Sequence, residues 1–448
     1  MKFILENSDE TLTTHSGLGL IGLLLSKTKI KQRFNEISLP KIKSVPDIKN
    51  GDVVTSYLGL LCQGKNDYDH IEPFREDDFF RMALDLKYIP SSPTLRQRLD
   101  DLAQQKSSLS ILLEESADLL SKMDITLTPV EVGKHDNKRC YLPLDIDVSP
   151  FDNSNTKKEG VSRTYKGCDG YAPMFAYLGQ EGYGIYVQLR EGKTHCQFEG
   201  DEFLTQSIRY ARKITNQGLL VRMDAGNDSV DNLRVCLQQE YPVDFIVKRN
   251  PRKETAESWL AIAQQKGECE SPREGKNIYR GSIPVKIKGL EQTVNQVFEV
   301  TERTIDKHGQ QLLVPDIEFD TYWTTLPDNP KEIIRLYHDH GTCEQFHSEL
   351  KTDLDLERFP SGKFATNELI LHLGVLAYNL LRIIGQESLK VPDAPLKKKV
   401  FRRRIKTVIQ NIITLASKLV RHARRYRLRF GRHSPWFTTF NRLYSSFC

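Results

Sequence analysis

The run GLLVRMDAG, Gly218–Gly226, is a short apolar stretch between glycines that ends on an acid, Asp224. That pattern reads as a core strand closing on a carboxylate. Upstream lie three more runs bounded by Gly, Pro and Asn, each of strand character: RCYLPLDIDVS (Arg139–Ser149), APMFAYLG (Ala172–Gly179) and YGIYVQLREG (Tyr183–Gly192). GDEFLTQSIRYARKIT (Gly200–Thr215) is helical in its spacing. Downstream, SVDNLRVCLQQE is a helix capped near Ser229, and VDFIVKRN (Val243–Asn250) is another strand. The rhythm then breaks into short alternating segments, SIPVKIKG and VFEVTERTIDKHG, which imply a β-rich insertion. It resumes with the strand FDTYWTTL (Phe319–Leu326) and a helix opened by Asn329 and Pro330. A long apolar helix, NELILHLGVLAYNLLRII (Asn367–Ile384), is expected to pack beneath the sheet.

Three strands, a helix, a strand ending in an acid, then a late acid-bearing helix is the order of a ribonuclease-H-like α/β core. In such a core the first and fourth strands are neighbours, so carboxylates at their ends meet one carried by the late helix. Strand one offers Asp145 and Asp147, two apart and therefore on one side; strand four offers Asp224; the late helix offers Glu344. Converging acids are what two-metal phosphodiester cleavage needs, because cations about 3.5–4 Å apart must share carboxylate ligands.

The late helix carries YHDHGTCEQFHSELK, Tyr337–Lys351. At about 100° per residue, Tyr337, His340, Glu344 and Lys351 fall within a stripe of about 60°. Phe346, Leu350 and Leu354 form an adjacent apolar face. An amphipathic helix with its wet side outward would look the same without the upstream aspartates. Zinc is a further alternative, since His340, Cys343 and His347 lie close in sequence, but no strong fourth ligand accompanies them.

Length and charge set the wider frame. A chain of 448 residues exceeds one compact core. Its eight cysteines form no C-x-x-C pair, which reads as reduced thiols. LGLIGLLL (Leu18–Leu25) is too short to span a bilayer and lacks a basic leader, so neither membrane nor secretion is expected. After Asp393 there is no acidic residue, while 15 Lys and Arg lie between Lys397 and Arg442. A basic tail on an acidic body points to a polyanion, and nucleic acid fits best because Tyr426, Phe430 and Trp436 alternate with the arginines. The expected regions are a helical N-terminal DNA-binding region (1–125), the core in two parts (126–250 and 319–390), the β-rich insertion (251–318) and a basic helical C-terminal region (391–448).

At these residues the chain resembles the DDE insertion-sequence transposases of bacteria. The branch concerned spaces its glutamate in a Tyr-x2-Arg-x3-Glu-x6-Lys pattern, which Tyr337, Glu344 and Lys351 match. His340 stands at the arginine position and is shorter and only sometimes charged. RMDAGNDS resembles the second-aspartate segment, and LDIDVS resembles the first, favouring Asp147 over Asp145. SSPTLRQRLDDL, YAPMFAYLG and the stretches ELK and AYNLL extend the likeness from about residue 50 to 430. The resemblance implies that Asp147, Asp224 and Glu344 are catalytic and hold two Mg2+ or Mn2+ ions. It implies hydrolysis at terminal inverted repeats followed by strand transfer of the 3′-hydroxyl into target DNA, with Tyr337, His340 and Lys351 touching phosphates. The tail residues Arg421, Arg424 and Arg425 are expected to add phosphate contacts. Double-stranded DNA is the expected partner, a homodimer the expected synaptic unit, and the bacterial cytoplasm the expected compartment. The alternatives are a transposase-derived DNA-binding protein without catalysis and a ribonuclease-H-like nuclease that cuts without joining. In related transposases an aromatic residue can stack on a base flipped out during hairpin formation; Trp323 is expected to pack in the core instead, and Trp259 has no stronger claim to that role.

Overall fold

The computed structural model describes residues 1–40, 46–133, 138–241 and 243–448. It divides into two units, Leu127–Ser149 with Ala172–Phe346, and Met1–Thr126 with Pro150–Tyr171 and His347–Cys448.

The first unit is built on a ten-stranded sheet. Its strands are β1 (Arg139–Val148), β2 (Met174–Leu178), β3 (Tyr183–Gln188), β4 (Leu219–Met223) and β5 (Val243–Lys248), followed by β6 (Glu268–Arg273), β7 (Lys276–Lys286), β8 (Thr293–Ile305) and β9 (Gln311–Thr324). They lie in the order β6-β7-β8-β9-β5-β4-β1-β2-β3, and Val130–Val132 also pairs with β1. β4 runs parallel to both β1 and β5, while β1-β2 and β2-β3 are antiparallel. This is the ribonuclease-H-like arrangement, with strands one and four adjacent. Leu219–Met223 is buried throughout, as is most of β1, which is why both read as near-continuous apolar runs. Helix α1 (Gly200–Ile214) buries Phe203, Leu204, Ile208 and Ala211, and Phe203 meets Tyr186 of β3 at 4.8 Å. Helix α2 (Val230–Leu237) is capped by Ser229, whose hydroxyl accepts from the Asn232 amide.

The insertion does not form a separate body. β9 pairs with β5 at one end and with β8 along its length, so a single strand runs through the boundary expected at residues 318 and 319. Helix α3 (Ala256–Lys266) closes over it by burying Trp259 and Ala263 against Phe298 and Val300. Trp259 stacks on Phe319 at 5.9 Å and donates to Glu254. Trp323 is also packed, its indole N–H donating to Asp228 at 3.0 Å. Satisfying the one polar atom of a buried indole suits packing.

The second unit is mainly helical. Helix Ser92–Ala103 begins after Ser91, whose hydroxyl accepts from the Thr94 amide and caps it. The apolar helix Phe364–Glu387 packs against several other helices of its own unit. It is long and apolar enough to cross a membrane by composition, yet 94% of that window is buried within the protein.

The basic C-terminal region is not helical throughout, as the charge pattern had implied. β10 (Ser417–His422) and β11 (Arg425–Phe430) form an antiparallel hairpin to which Thr11–Thr13 adds a third strand. The alternation Arg-Tyr-Arg-Leu-Arg-Phe over residues 425–430 has the two-residue period of a strand. The two-residue turn, Ala423 and Arg424, lies at φ +49° and +62°, the left-handed geometry that closes tight hairpins.

Candidate active site

Strand register assembles the first part of the site. Across the parallel pair β1-β4, Asp145 lies beside Arg222 and Ile146 beside Met223. One step further along each strand stand Asp147 and Asp224. Strand alternation puts Asp145 and Asp147 on one face, as it does Arg222 and Asp224. A charged pair therefore precedes two acids on the same surface.

The charged pair is sealed. Arg222 and Asp145 side chains are 3% and 2% exposed. Arg222 Nε donates to Asp145 Oδ1 at 2.6 Å and Nη2 to Oδ2 at 2.7 Å, a bidentate fork. Its third nitrogen, Nη1, donates to the Leu336 carbonyl at 2.7 Å. Leu336 belongs to helix α4 (Pro330–His338), capped by Asn329, so the guanidinium ties this helix to the strands bearing the two acids. His340 Nδ1 lies 3.0 Å from Asp145 Oδ1. Burial alone would raise the Asp145 carboxyl, but Arg222 and His340 outweigh it and hold the carboxyl below its ordinary range.

Asp224 behaves oppositely. Its carboxyl is pushed up, first by burial and then by the charge of Asp147, while Asn227 Nδ2, donating at 2.7 Å, and His340 draw it down. The Tyr337 hydroxyl is raised by burial, then by Asp224 and Asp147, which keeps it a hydrogen-bond donor. Asp147, Asp224, Tyr337 and His340 thus share one electrostatic field.

The stretch Tyr337–Lys351 is not one regular helix. After α4 comes a 3-10 turn at Asp339–Thr342, then helix α5 (Cys343–Ser348), then a π-helical turn at Glu349–Asp353. The stripe expected from a uniform 100° step is therefore interrupted twice. His340 is 6% exposed and faces Asp145 rather than solvent. Glu344 is exposed and, among the described residues, has no hydrogen bond or ion pair. Its neighbour Cys343 is buried, with a thiol pushed far up by burial and then by Asp145 and Asp147. Lys351 lies in the π turn with its ammonium 5.3 Å from the Phe151 ring centroid.

Helix α5 is seated by Phe346. Its ring meets Tyr177 at 5.0 Å and fills the space over Gly182, where a Cβ would come within 2.3 Å of the ring. Gly182 also has φ +73°. Gly182→Ala is expected to lower stability by about 1–3 kcal/mol through overpacking and backbone strain. A thermal melt unchanged from wild type would show that Phe346 is not held there.

Two groupings of ligand-type residues can be compared with a divalent cation. Ligand atoms of Asp145, His340 and Cys343 lie within 4.8 Å of one another, all buried. A guanidinium already occupies both Asp145 oxygens there, so that group suits an arginine rather than a metal. Asp147 and Asp224 fit a cation better: two partly buried carboxylates at adjacent strand ends, one with raised proton affinity, form a hard oxygen donor set.

Sequence reasoning had left Arg222 and the role of Asp145 unread. The available signal was a lone arginine in the otherwise apolar run Leu219–Met223, since a buried arginine demands a partner. The hairpin places Arg421, Arg424 and Arg425 on its exposed strands and turn.

Over residues 2–447 the chain matches the family model described as transposase DDE domain, group 1. Among solved structures it resembles piggyBac transposase in a synaptic complex with hairpin DNA, with a TM-score of 0.43 and 12% identity over 91% of this chain and 82% of that one. A search of curated proteins finds no match. A family match running almost end to end shows that the chain belongs to the DDE-domain transposases of group 1.

Proposed function

We propose that this protein binds the terminal inverted repeats of an insertion sequence, hydrolyses DNA at those ends and joins the freed 3′-hydroxyls to target DNA. The observation that carries this reading is the register that brings Asp147 and Asp224 to neighbouring strand ends. With Glu344, whose carboxylate has no hydrogen bond or ion pair among the described residues, they would hold two Mg2+ or Mn2+ ions. Such ions, when bound, supply Lewis acidity for displacement at phosphorus.

The chain's own groups have separable roles. Tyr337 keeps its proton and donates to a phosphate oxygen. His340, held 3.0 Å from Asp145, acts as a positioning residue beside the acid strands. Lys351 carries a compact positive charge for a DNA phosphate. In the first step a water oxygen bonds to the scissile phosphorus and the 3′ oxygen leaves with a proton. In the second, that 3′-hydroxyl attacks a target phosphodiester and expels its 3′ oxygen, so one phosphodiester replaces another. Two ends must meet for this, and a homodimer is the proposed synaptic unit.

The test uses the full-length protein, labelled duplex carrying the element's ends, and Mg2+, beside Asp147→Asn, Asp224→Asn and Glu344→Gln. Cleavage should require the cation and be lost in each variant. Cleavage surviving in all three would remove the mechanism. End binding with no cleavage by the wild type would favour a non-catalytic descendant.

A further inference from the structure

The fifteen basic residues after Asp393 divide into two populations. Some are consumed inside the protein. Arg402 donates to Glu349 at 2.7 Å, Arg404 to Asp353 at 2.9 Å and Arg442 to Asp393 at 2.6 Å, while Arg403 lies over Trp436 at 4.3 Å. Lys418 pairs with Glu10. Arg424, Arg425, Arg427 and Arg429 are exposed and have no acidic partner among the described residues.

Those unpartnered arginines are ordered by the hairpin. Arg425, Arg427 and Arg429 alternate along β11 and so share one face. Their cross-strand partners are His422, Val420 and Lys418, which places like charges directly opposite at Lys418–Arg429. Glu10 balances Lys418, which leaves the arginine row itself without an acidic counter-charge among the described residues. The other face carries Leu419, Arg421, Tyr426, Leu428 and Phe430. There Phe430 packs on Phe437 and Phe440, and Arg421 lies over Tyr426 at 5.7 Å. One face is thus anchored and the other is cationic.

We infer that β10-β11 is a DNA-binding ribbon whose Arg425–Arg427–Arg429 face lies against the sugar-phosphate backbone of duplex DNA. This rests on the reading that the protein acts on DNA, and it reassigns the tail contact from Arg421 to a row including Arg427 and Arg429. The dimensions fit. Two strands ~4.8 Å apart and six residues long make a ribbon ~20 Å in length, a shape the ~12 Å major groove admits. Guanidinia recurring every ~6.8 Å along β11 present forked donors to successive phosphates. Phosphate contact carries no base information, so the ribbon strengthens binding to any duplex.

The test compares the full-length wild type, the triple variant Arg425→Gln/Arg427→Gln/Arg429→Gln, and Arg421→Gln. Affinity is measured from 50 to 200 mM salt without divalent cation, on an element end, on an unrelated duplex and on single-stranded RNA. The triple variant should lower the salt slope by about 2.7, near 0.9 per contact, equally on both duplexes. Over that range the wild type should lose about 40-fold more affinity than the variant. Arg421→Gln should leave the slope unchanged, and melting of the triple variant should stay near wild type, because none of the three arginines has an acidic partner among the described residues. An unchanged triple-variant slope, a loss confined to the element's end, or a loss seen on RNA alone overturns the ribbon. A wild type that binds no duplex overturns this inference and the reading beneath it. An unchanged slope with cleavage still abolished by Asp147→Asn overturns only the ribbon.

Discussion

Asp224→Asn is expected to lower cleavage by ~10³-fold or more while leaving the metal-free protein at least as stable as wild type. The rate loss follows from removing a carboxylate that positions Lewis acids worth several kcal/mol, at about 1.36 kcal/mol per decade. Stability moves the other way because the native Asp224 charge is unfavourable, opposed first by burial and then by Asp147. A carboxyl whose native proton affinity exceeds its unfolded value binds more protons when folded. Stability of the metal-free protein therefore falls as pH rises from near ~3.9 through the raised native value, and the deficit persists above it. An asparagine has no such charge, and its amide oxygen can still accept from Asn227, which donates to Asp224 Oδ1 at 2.7 Å. Melting curves at several pH values, with and without Mg2+, measure both halves. Wild type should gain about 2.7 kcal/mol at a hundredfold excess of Mg2+ over its Kd, and the variant much less. A variant that melts well below wild type, yet gains equally from Mg2+, would remove Asp224 from the metal site.

What could be read in advance was whatever local periodicity expresses. β1 and β4 announced themselves as apolar runs ending on acids, and Ser229 and Asn329 as caps, because strand burial and helix capping are short-range physics. The breaks on either side of α5 were hidden. A 3-10 turn and a π turn depend on what Cys343, Phe346 and Glu349 must reach, and those targets are distant in sequence. Glu349 and Asp353, for example, are turned toward Arg402 and Arg404. In the hairpin, density of charge masks the two-residue alternation of Arg425–Phe430 that marks a strand. Asp145 was ambiguous beside Asp147, because alternation puts both on one face and cannot tell which has a guanidinium opposite. Only cross-strand register decides that.

Register also separates two neighbouring aspartates by what their loss should do. Asp145→Asn is expected to cost about 3–5 kcal/mol, since it strands a buried guanidinium without its counter-charge. For a folding unit of about 200 residues that is a fall of roughly 6–20 °C in Tm. Asp147→Asn, one step beyond the last residues of the β1-β4 pairing, should leave Tm near wild type while abolishing cleavage. The Asp145 variant should lose cleavage too, but by loosening the Arg222 link to the Leu336 carbonyl and hence α4, the helix of Tyr337. Replacing both partners, Asp145→Leu with Arg222→Met, should recover much of the stability, because paired apolar residues can replace a buried ion pair. Recovery should remain incomplete by about 1–3 kcal/mol, the penalty for leaving the Leu336 carbonyl without its donor. If Asp145 were instead a metal ligand with His340 and Cys343, Zn2+ would raise the wild-type Tm, and Asp145→Asn and Cys343→Ser would erase that rise alike. An Asp145→Asn protein that melts with wild type would break the proposed link between the acid strands and α4.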